Sequence, residues 1–267
     1  MTTEFIKTKG RRTIQGIQDP EIDSLDNVAK LEELLQSKVG ILKKSELVES
    51  IFKSFKDNDL KITKIRCLAL GSPSLETPAL YQLALLHLLI EQFGVQTKYV
   101  SLYDPVFTKL DKKIFSEKGY IVEEECESNE VPSTLFFLPH APLKLTDIVI
   151  SSSKPSLLLA NNISTHTERL GKLELYNKYP LLSKLVHLLE KDLKDSTVER
   201  RKNTEDDFQP VVSKRKSRKS KHKYVEPSLD YSSVASYFSS ISIVSFKKDE
   251  EGEWNNSFTD LAFHRLA

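Results

Sequence analysis

Four short polar stretches stand out because each follows an apolar run and carries a residue able to bind or react. They are Gly71, Ser72 and Pro73 after "CLAL", Tyr103 and Asp104 after "KYVSL", Pro139 and His140 after "LFFL", and Asn161 and Asn162 after "SLLLA". A glycine lets backbone approach a ligand, and an acidic residue at a strand end suits ribose hydroxyls. A histidine in a crevice can orient a ligand or move a proton. Each also has a plain structural alternative. Asp104 precedes Pro105 and can start a turn by accepting backbone amides. His140 can bond a neighbouring carbonyl and fix its loop. Asn161 and Asn162 can contact a ligand or tolerate a left-handed turn. The candidate ligand-binding residues are Gly71, Ser72, Tyr103, Asp104, His140 and Asn161, with His140 the candidate catalytic group. "GSPS" is a poor phosphate cradle. It has one glycine where a dinucleotide turn wants three, and Pro73 removes an amide donor. A nucleoside without pyrophosphate is less strongly disfavoured than a dinucleotide.

These stretches need elements to position them. "ITKIRCLALGS" is a short apolar run ending in a turn, the pattern of a strand buried on both faces. "ETPALYQLALLHLLIEQFG" is predicted as a helix apolar nearly all round, with Thr77 as cap, Pro78 at the first helical position and Gly94 at the C-terminal cap. Strands follow at "TKYVSLYDP", "YIVEEE", "STLFFLPHAP" and "PSLLLAN". Helices lie between them at "VFTKLDKKIFSEKG" and "LKLTDIVISS", and two more follow around 167–178 and 180–194. Upstream, residues 23–57 carry helical spacing, with Gly40 expected to divide two helices and Ser45 to cap the second. "VASYFSSISIVSF" and "SFTDLAFHRLA" are two closing strands.

Strands alternating with helices imply right-handed crossovers and a mainly parallel sheet. The expected fold is α/β, a Rossmann-like doubly wound sheet with a C-terminal antiparallel hairpin and N-terminal helices. A class I methyltransferase-like topology and a plain nucleotide-binding sheet both remain open. Residues 1–20 are expected as a polar tail. Residues 21–267 are expected as one domain, interrupted by a disordered loop at 199–227.

The chain has 267 residues, with 39% hydrophobic and 29% charged, enough to fill a core while leaving some length for polar linker. The net charge of +1 gives no global attraction to nucleic acid or anionic membrane. Nucleic acid is expected, if anywhere, at the basic run "SKRKSRKSKHK" (213–223), which reads equally as an import signal or a solvated loop. Cys67 and Cys126 lie far apart and suggest no disulfide framework, and Cys67 reads as a small buried hydrophobe. With six scattered histidines they give no metal-ligand spacing, so no metal is expected. His87 and His187, on helices among leucines, are expected in the core or an interface. No G-x-S-x-G supports a serine hydrolase. No stretch approaches the ~20 apolar residues of a membrane span, and no membrane role is expected.

Four blocks, "LALGSPS" with "ALYQLALL", "SLYDPVF", "LFFLPHAP" and "SFTDLAFH", together resemble the sensitivity-to-red-light-reduced (SRR-like) family. The resemblance spans roughly 60–165 and 230–265, and the segment at 190–227 is similar to a fungal-type insertion. Ala141 stands where the family usually has cysteine, and Ala160 where it usually has glycine. The resemblance implies a regulatory protein more than an enzyme, cytoplasmic and nuclear, acting through protein partners and requiring no cofactor. It implies circadian and light signalling, regulation of heme biosynthesis or, in the fungal branch, microtubule-related processes. The competing expectation is a transferase using S-adenosylmethionine: Gly71 and Ser72 would approach the cofactor, Asp104 would hold its ribose and His140 would handle a proton.

Overall fold

The long apolar runs become central strands because their alternate residues meet helices on opposite faces. The computed structural model describes residues 14, 17, 19–22, 24–58, 60–125, 133–202, 228–246 and 252–267, with backbone alone for 193–202. The expectations for Cys126, for the basic run 213–223 and for most of the tail lie outside these residues.

Among the described residues seven strands form one sheet: β1 (Lys64–Leu68), β2 (Val100–Tyr103), β3 (Ile121–Val122), β4 (Thr134–Leu138), β5 (Leu157–Asn161), β6 (Ile241–Ser245) and β7 (Leu261–Leu266). Their order is β3-β2-β1-β4-β5-β7-β6. The first five are parallel, while β7 runs antiparallel to both β5 and β6. The expected hairpin is therefore present, with its second strand inserted beside β5. This is the methyltransferase-like arrangement held open above.

Side-chain alternation divides the core. Leu135 and Phe137 of β4, with Leu157 and Leu159 of β5, join one apolar cluster, which includes residues of α1 (Leu25–Leu42), α2 (Glu46–Asp57), α3 (Thr77–Phe93) and α4 (Lys109–Glu117). Phe136, Leu138, Leu158 and Ala160 join the other. That second cluster includes residues of α5 (Leu143–Ser152), α6 (Ile163–Thr167), α7 (Lys172–Lys178) and α8 (Pro180–Lys202). The α3 helix is buried on almost every side because it lies between the sheet and α1.

Several boundaries differ from expectation for local reasons. Gly40 lies inside α1, which continues to Leu42, and the break comes at Ser45, whose hydroxyl accepts the Val48 amide and caps α2 as expected. Thr77 is the first residue of α3 rather than its cap; Glu76 occupies that position without a side-chain bond, while Gly94 closes the helix in the left-handed conformation as expected. The helix expected at 180–194 extends to Lys202. Within the expected tail, Ile14 and Ile17 are buried in the core, and the Leu110 amide donates to the Pro20 carbonyl. Among the described residues, no helix is long and apolar enough to cross a membrane.

Candidate functional site

Parallel pairing brings the carboxyl ends of β2, β1, β4 and β5 side by side, so Asp104, Gly71, His140 and Asn161 follow one another along one edge of the sheet. Their side chains have different tasks.

The turn after β1 is closed upon itself. Ala69 (φ 55°) and Gly71 (φ 76°) are both left-handed, a conformation that costs a non-glycine residue roughly 1 to 2 kcal/mol. The Gly71 amide donates to Asp104 Oδ2 at 2.8 Å, and the Val106 amide donates to Oδ1 at 3.1 Å. Asp104 thus anchors two loops, as an aspartate before proline is suited to do. Burial raises its pKa, the two amides oppose that, and the charges of Glu76 and Asp111 raise it further.

Ser72 is fully buried and turned away from solvent. Its hydroxyl donates to Asp111 Oδ2 at 2.5 Å, and the Ser74 amide donates to Asp111 Oδ1 at 2.9 Å. The Ser74 and Thr108 hydroxyls bond each other at 2.8 Å. Thr108 also caps α4 reciprocally with Asp111: the Thr108 amide donates to Oδ2 at 3.0 Å and the Asp111 amide to the Thr108 hydroxyl at 3.1 Å. The Leu75 and Glu76 amides both donate to the Ser72 carbonyl. So the amides of Gly71, Ser74, Leu75 and Glu76 are engaged within the chain, and Pro73 has none. A phosphate cradle needs such amides aimed at the ligand, and here they are aimed inward.

Gly71 has a second constraint, because a Cβ placed there lies 3.2 Å from Ala79 Cβ. Gly71→Ala is expected to destabilise the fold by about 1 to 2 kcal/mol, from the left-handed backbone and the crowding together. Urea denaturation checks this; an unchanged midpoint contradicts the turn geometry.

Pro139 is buried and His140 is exposed. Neighbouring atoms nevertheless desolvate the His140 ring enough to lower its pKa, with Asp260 opposing. Asp260 acts in the same sense on His166, whose pKa is lowered by burial and by Arg169. The rim therefore contains His140, His166 and Asp260, of which the sequence reading singled out His140 alone. Asp260 lies within the "SFTDLAFH" block, and His166 gives no signal beyond its position shortly after β5. Among the described residues, no group of three or more such side chains is placed to hold a metal ion.

The Asn161 side-chain amide donates to the Ala141 carbonyl at 3.3 Å, tying the end of β5 to the loop after β4. Neither Asn161 nor Asn162 has positive φ. Asn162 instead caps α6, its Oδ1 accepting the Ser164 and Thr165 amides. Next to them His264 is wholly buried, its Nε2 accepting the Ile163 amide at 3.2 Å and its Nδ1–H donating to the Leu158 carbonyl at 3.3 Å. That pair fixes the neutral ring in one tautomer.

Burial pushes the His264 pKa down to about 4, against the Leu158 and Ala262 carbonyls. His87 is also lowered to about 4, by burial and Lys118, with Glu32 opposing. The unfolded rings take protons near pH 6.5 and the folded rings do not, so stability is lost as pH falls from 6.5 toward 4. Each ring contributes a slope of about 1.4 kcal/mol per pH unit across that window. Asp104 and Asp147, both shifted upward by burial, act in the opposite sense. Urea midpoints at stepped pH check this, and His264→Gln should flatten the slope.

Tyr103 and Asp104 border a cleft of about 480 Å3 at the ends of β2 and β3, closed by Phe107, Lys112, Val122 and Glu124 among others. A cleft of about 550 Å3 lies between α2 and the C-terminal end of α3, lined by residues that include Phe52, Phe55 and Phe93. It is at the opposite edge of the sheet, because α3 runs back from the end of β1. Position favours the first cleft, since ligands of open α/β sheets bind outside the strands' carboxyl ends. Two further histidines among the described residues pack against tyrosines. His87 meets Tyr120 edge to face at 5.8 Å, and His187 stacks on Tyr231 at 4.1 Å. Cys67 is buried in β1.

Compared with known proteins, residues 31–265 match the family described as the SRR1 domain. No solved structure matches the chain.

Proposed function

The chain belongs to the SRR1 domain family, and we propose that it is a regulatory intracellular protein that binds a small effector and protein partners without turning over a substrate. The observation that carries this reading is the use made of the strand-end polar groups. Ser72 is closed against Asp111, Asp104 holds two backbone amides, Asn161 ties a loop and Asn162 caps a helix. These groups serve the fold, and a catalytic centre needs reactive groups aimed at a substrate. The regulated process is drawn from those the family resemblance implies: circadian and light signalling, heme biosynthesis or microtubule-related processes.

A second reading, a transferase using S-adenosylmethionine, is favoured by the strand order itself, five parallel strands closed by an antiparallel pair, with an acidic residue directly after β2. In that reading His140, whose charged form Asp260 favours, moves the proton. One experiment separates the two: incubation of the chain with methyl-labelled S-adenosylmethionine and a cell extract as acceptor source. The regulatory reading predicts no label transfer above a heat-denatured control. Transfer that disappears in His140→Ala, with the fold intact by circular dichroism, overturns it in favour of the transferase.

A further inference from the structure

We infer that the cleft at the ends of β2 and β3 binds a nucleoside that carries an exocyclic amine and no phosphate. The inference rests on the effector-binding part of the reading above and names the effector's chemical class.

Position, size and walls agree. The cleft lies where open α/β sheets receive ligands, beside the acidic residue that follows the second strand. Its volume of about 480 Å3 falls within the roughly 300 to 1,000 Å3 of small-molecule sites. Tyr103, Phe107 and Val122 give it aromatic and aliphatic surface against which a base can pack.

The polar lining selects among ligands. Asp104 is held in orientation by the Gly71 and Val106 amides, one on each oxygen. A carboxylate oxygen has room for a second donor, so the pinned Asp104 is preorganised to accept from vicinal hydroxyls. Glu124 adds a further acceptor on the exposed rim. Acceptors dominate among the described lining residues and call for a ligand rich in O–H and N–H donors, as a ribose diol and an exocyclic amine are.

Charge excludes phosphate. Among the described lining residues Asp104 and Glu124 outnumber Lys112, while Glu123 is paired with the buried Arg66 at 2.6 Å. No compensating amide cradle is present in the adjoining turn, where the Gly71, Ser74, Leu75 and Glu76 amides bond within the chain. A nucleoside triphosphate therefore meets repulsion without the donors that normally offset it.

Isothermal titration of the full chain tests this with adenosine as the probe, and with uridine and ATP as comparators. Saturable adenosine binding is expected, with uridine and ATP each at least about tenfold weaker, a difference of about 1.4 kcal/mol. Val122→Trp, which fills the cleft from the short edge strand, should weaken adenosine by at least about the same factor. Asp104→Asn should also weaken it, but that change disturbs the turn as well, so Val122→Trp is the decisive variant. Absence of adenosine binding at millimolar concentration overturns the inference. So does ATP or uridine binding as tightly as adenosine, or adenosine binding untouched by Val122→Trp. The labelled-methyl experiment separates the two levels. No binding with no transfer removes only the nucleoside, whereas binding accompanied by transfer keeps the nucleoside and removes the regulatory reading.

Discussion

Asp111→Ala is expected to lower the free energy of unfolding by about 4 kcal/mol, the largest effect of any single side chain discussed above. The Asp111 carboxylate is fully buried and accepts three bonds, from the Ser72 hydroxyl and from the Ser74 and Thr108 amides. Its removal strands two buried backbone donors and weakens the hold on a buried hydroxyl. Each stranded donor costs about 1 to 3 kcal/mol. The Ser72 hydroxyl can turn toward Ser74, 3.2 Å away, which limits its share. The network also joins the turn after β1 to the start of α4, so one substitution loosens two elements. Asp111→Asn retains one acceptor oxygen and should cost about half as much. For a chain of this size the alanine variant should melt roughly 10 °C lower. Urea denaturation and a thermal melt check the value; a loss below about 1 kcal/mol means the network does not hold the turn as described.

The second large effect is expected at Glu123. Arg66 is fully buried in β1, where a charge is rarely found unless paired. Its Nη1 meets Glu123 Oε1 at 2.6 Å and donates to the Ser101 hydroxyl at 3.2 Å, while Nη2 donates to the Glu125 carbonyl at 3.2 Å. One guanidinium therefore joins β1, β2 and the segment leaving β3. Burial works against the Glu123 charge, but the hydrogen bond and charge of Arg66 prevail and hold its carboxyl below the usual range. Glu123→Ala removes the carboxylate bonded to this buried cation and should cost about 3 kcal/mol, the low end for breaking a buried pair because Glu123 is 26% exposed. Arg66→Met combined with Glu123→Ala should recover most of that, since an apolar residue of similar length removes the buried charge itself. A double variant as unstable as Glu123→Ala alone contradicts this account.

The fold was legible because its strands and helices have different periods. "TLFFL" and "LLLAN" are continuous apolar runs for a physical reason: successive residues serve clusters on opposite faces of the sheet. Gly94 and Ser45 announced a helix end and a helix start through their own backbone and side-chain chemistry. Gly40 misled because a glycine inside a helix costs only ~1 kcal/mol, which the tertiary contacts of α1 outweigh. At the rim, residue type gave position correctly but not orientation. Ser72 and Asp104 each had two possible partners, solvent-side ligand or chain, and only the packed structure shows the chain closing Ser72 against Asp111 and pinning Asp104 with one backbone amide on each oxygen. The deciding partner of Ser72 is Asp111, distant in sequence; its one visible signal was the Thr108-x-x-Asp111 spacing of a helix cap. Nothing in the run around Arg66 marked Glu123, on a different strand connection, as its counter-ion.

The inward-facing turn after β1 is the claim on which the exclusion of phosphate, the anchoring role of Asp104 and the choice of nucleoside all depend. Native-state hydrogen exchange on the full chain, with and without millimolar ATP, tests it directly. The Gly71 and Ser74 amides are expected to be protected in the free protein, bonded to Asp104 and Asp111, and unchanged by ATP. Rapid exchange at both that slows only when ATP is added would mean that the turn opens to cradle phosphate, contrary to this account.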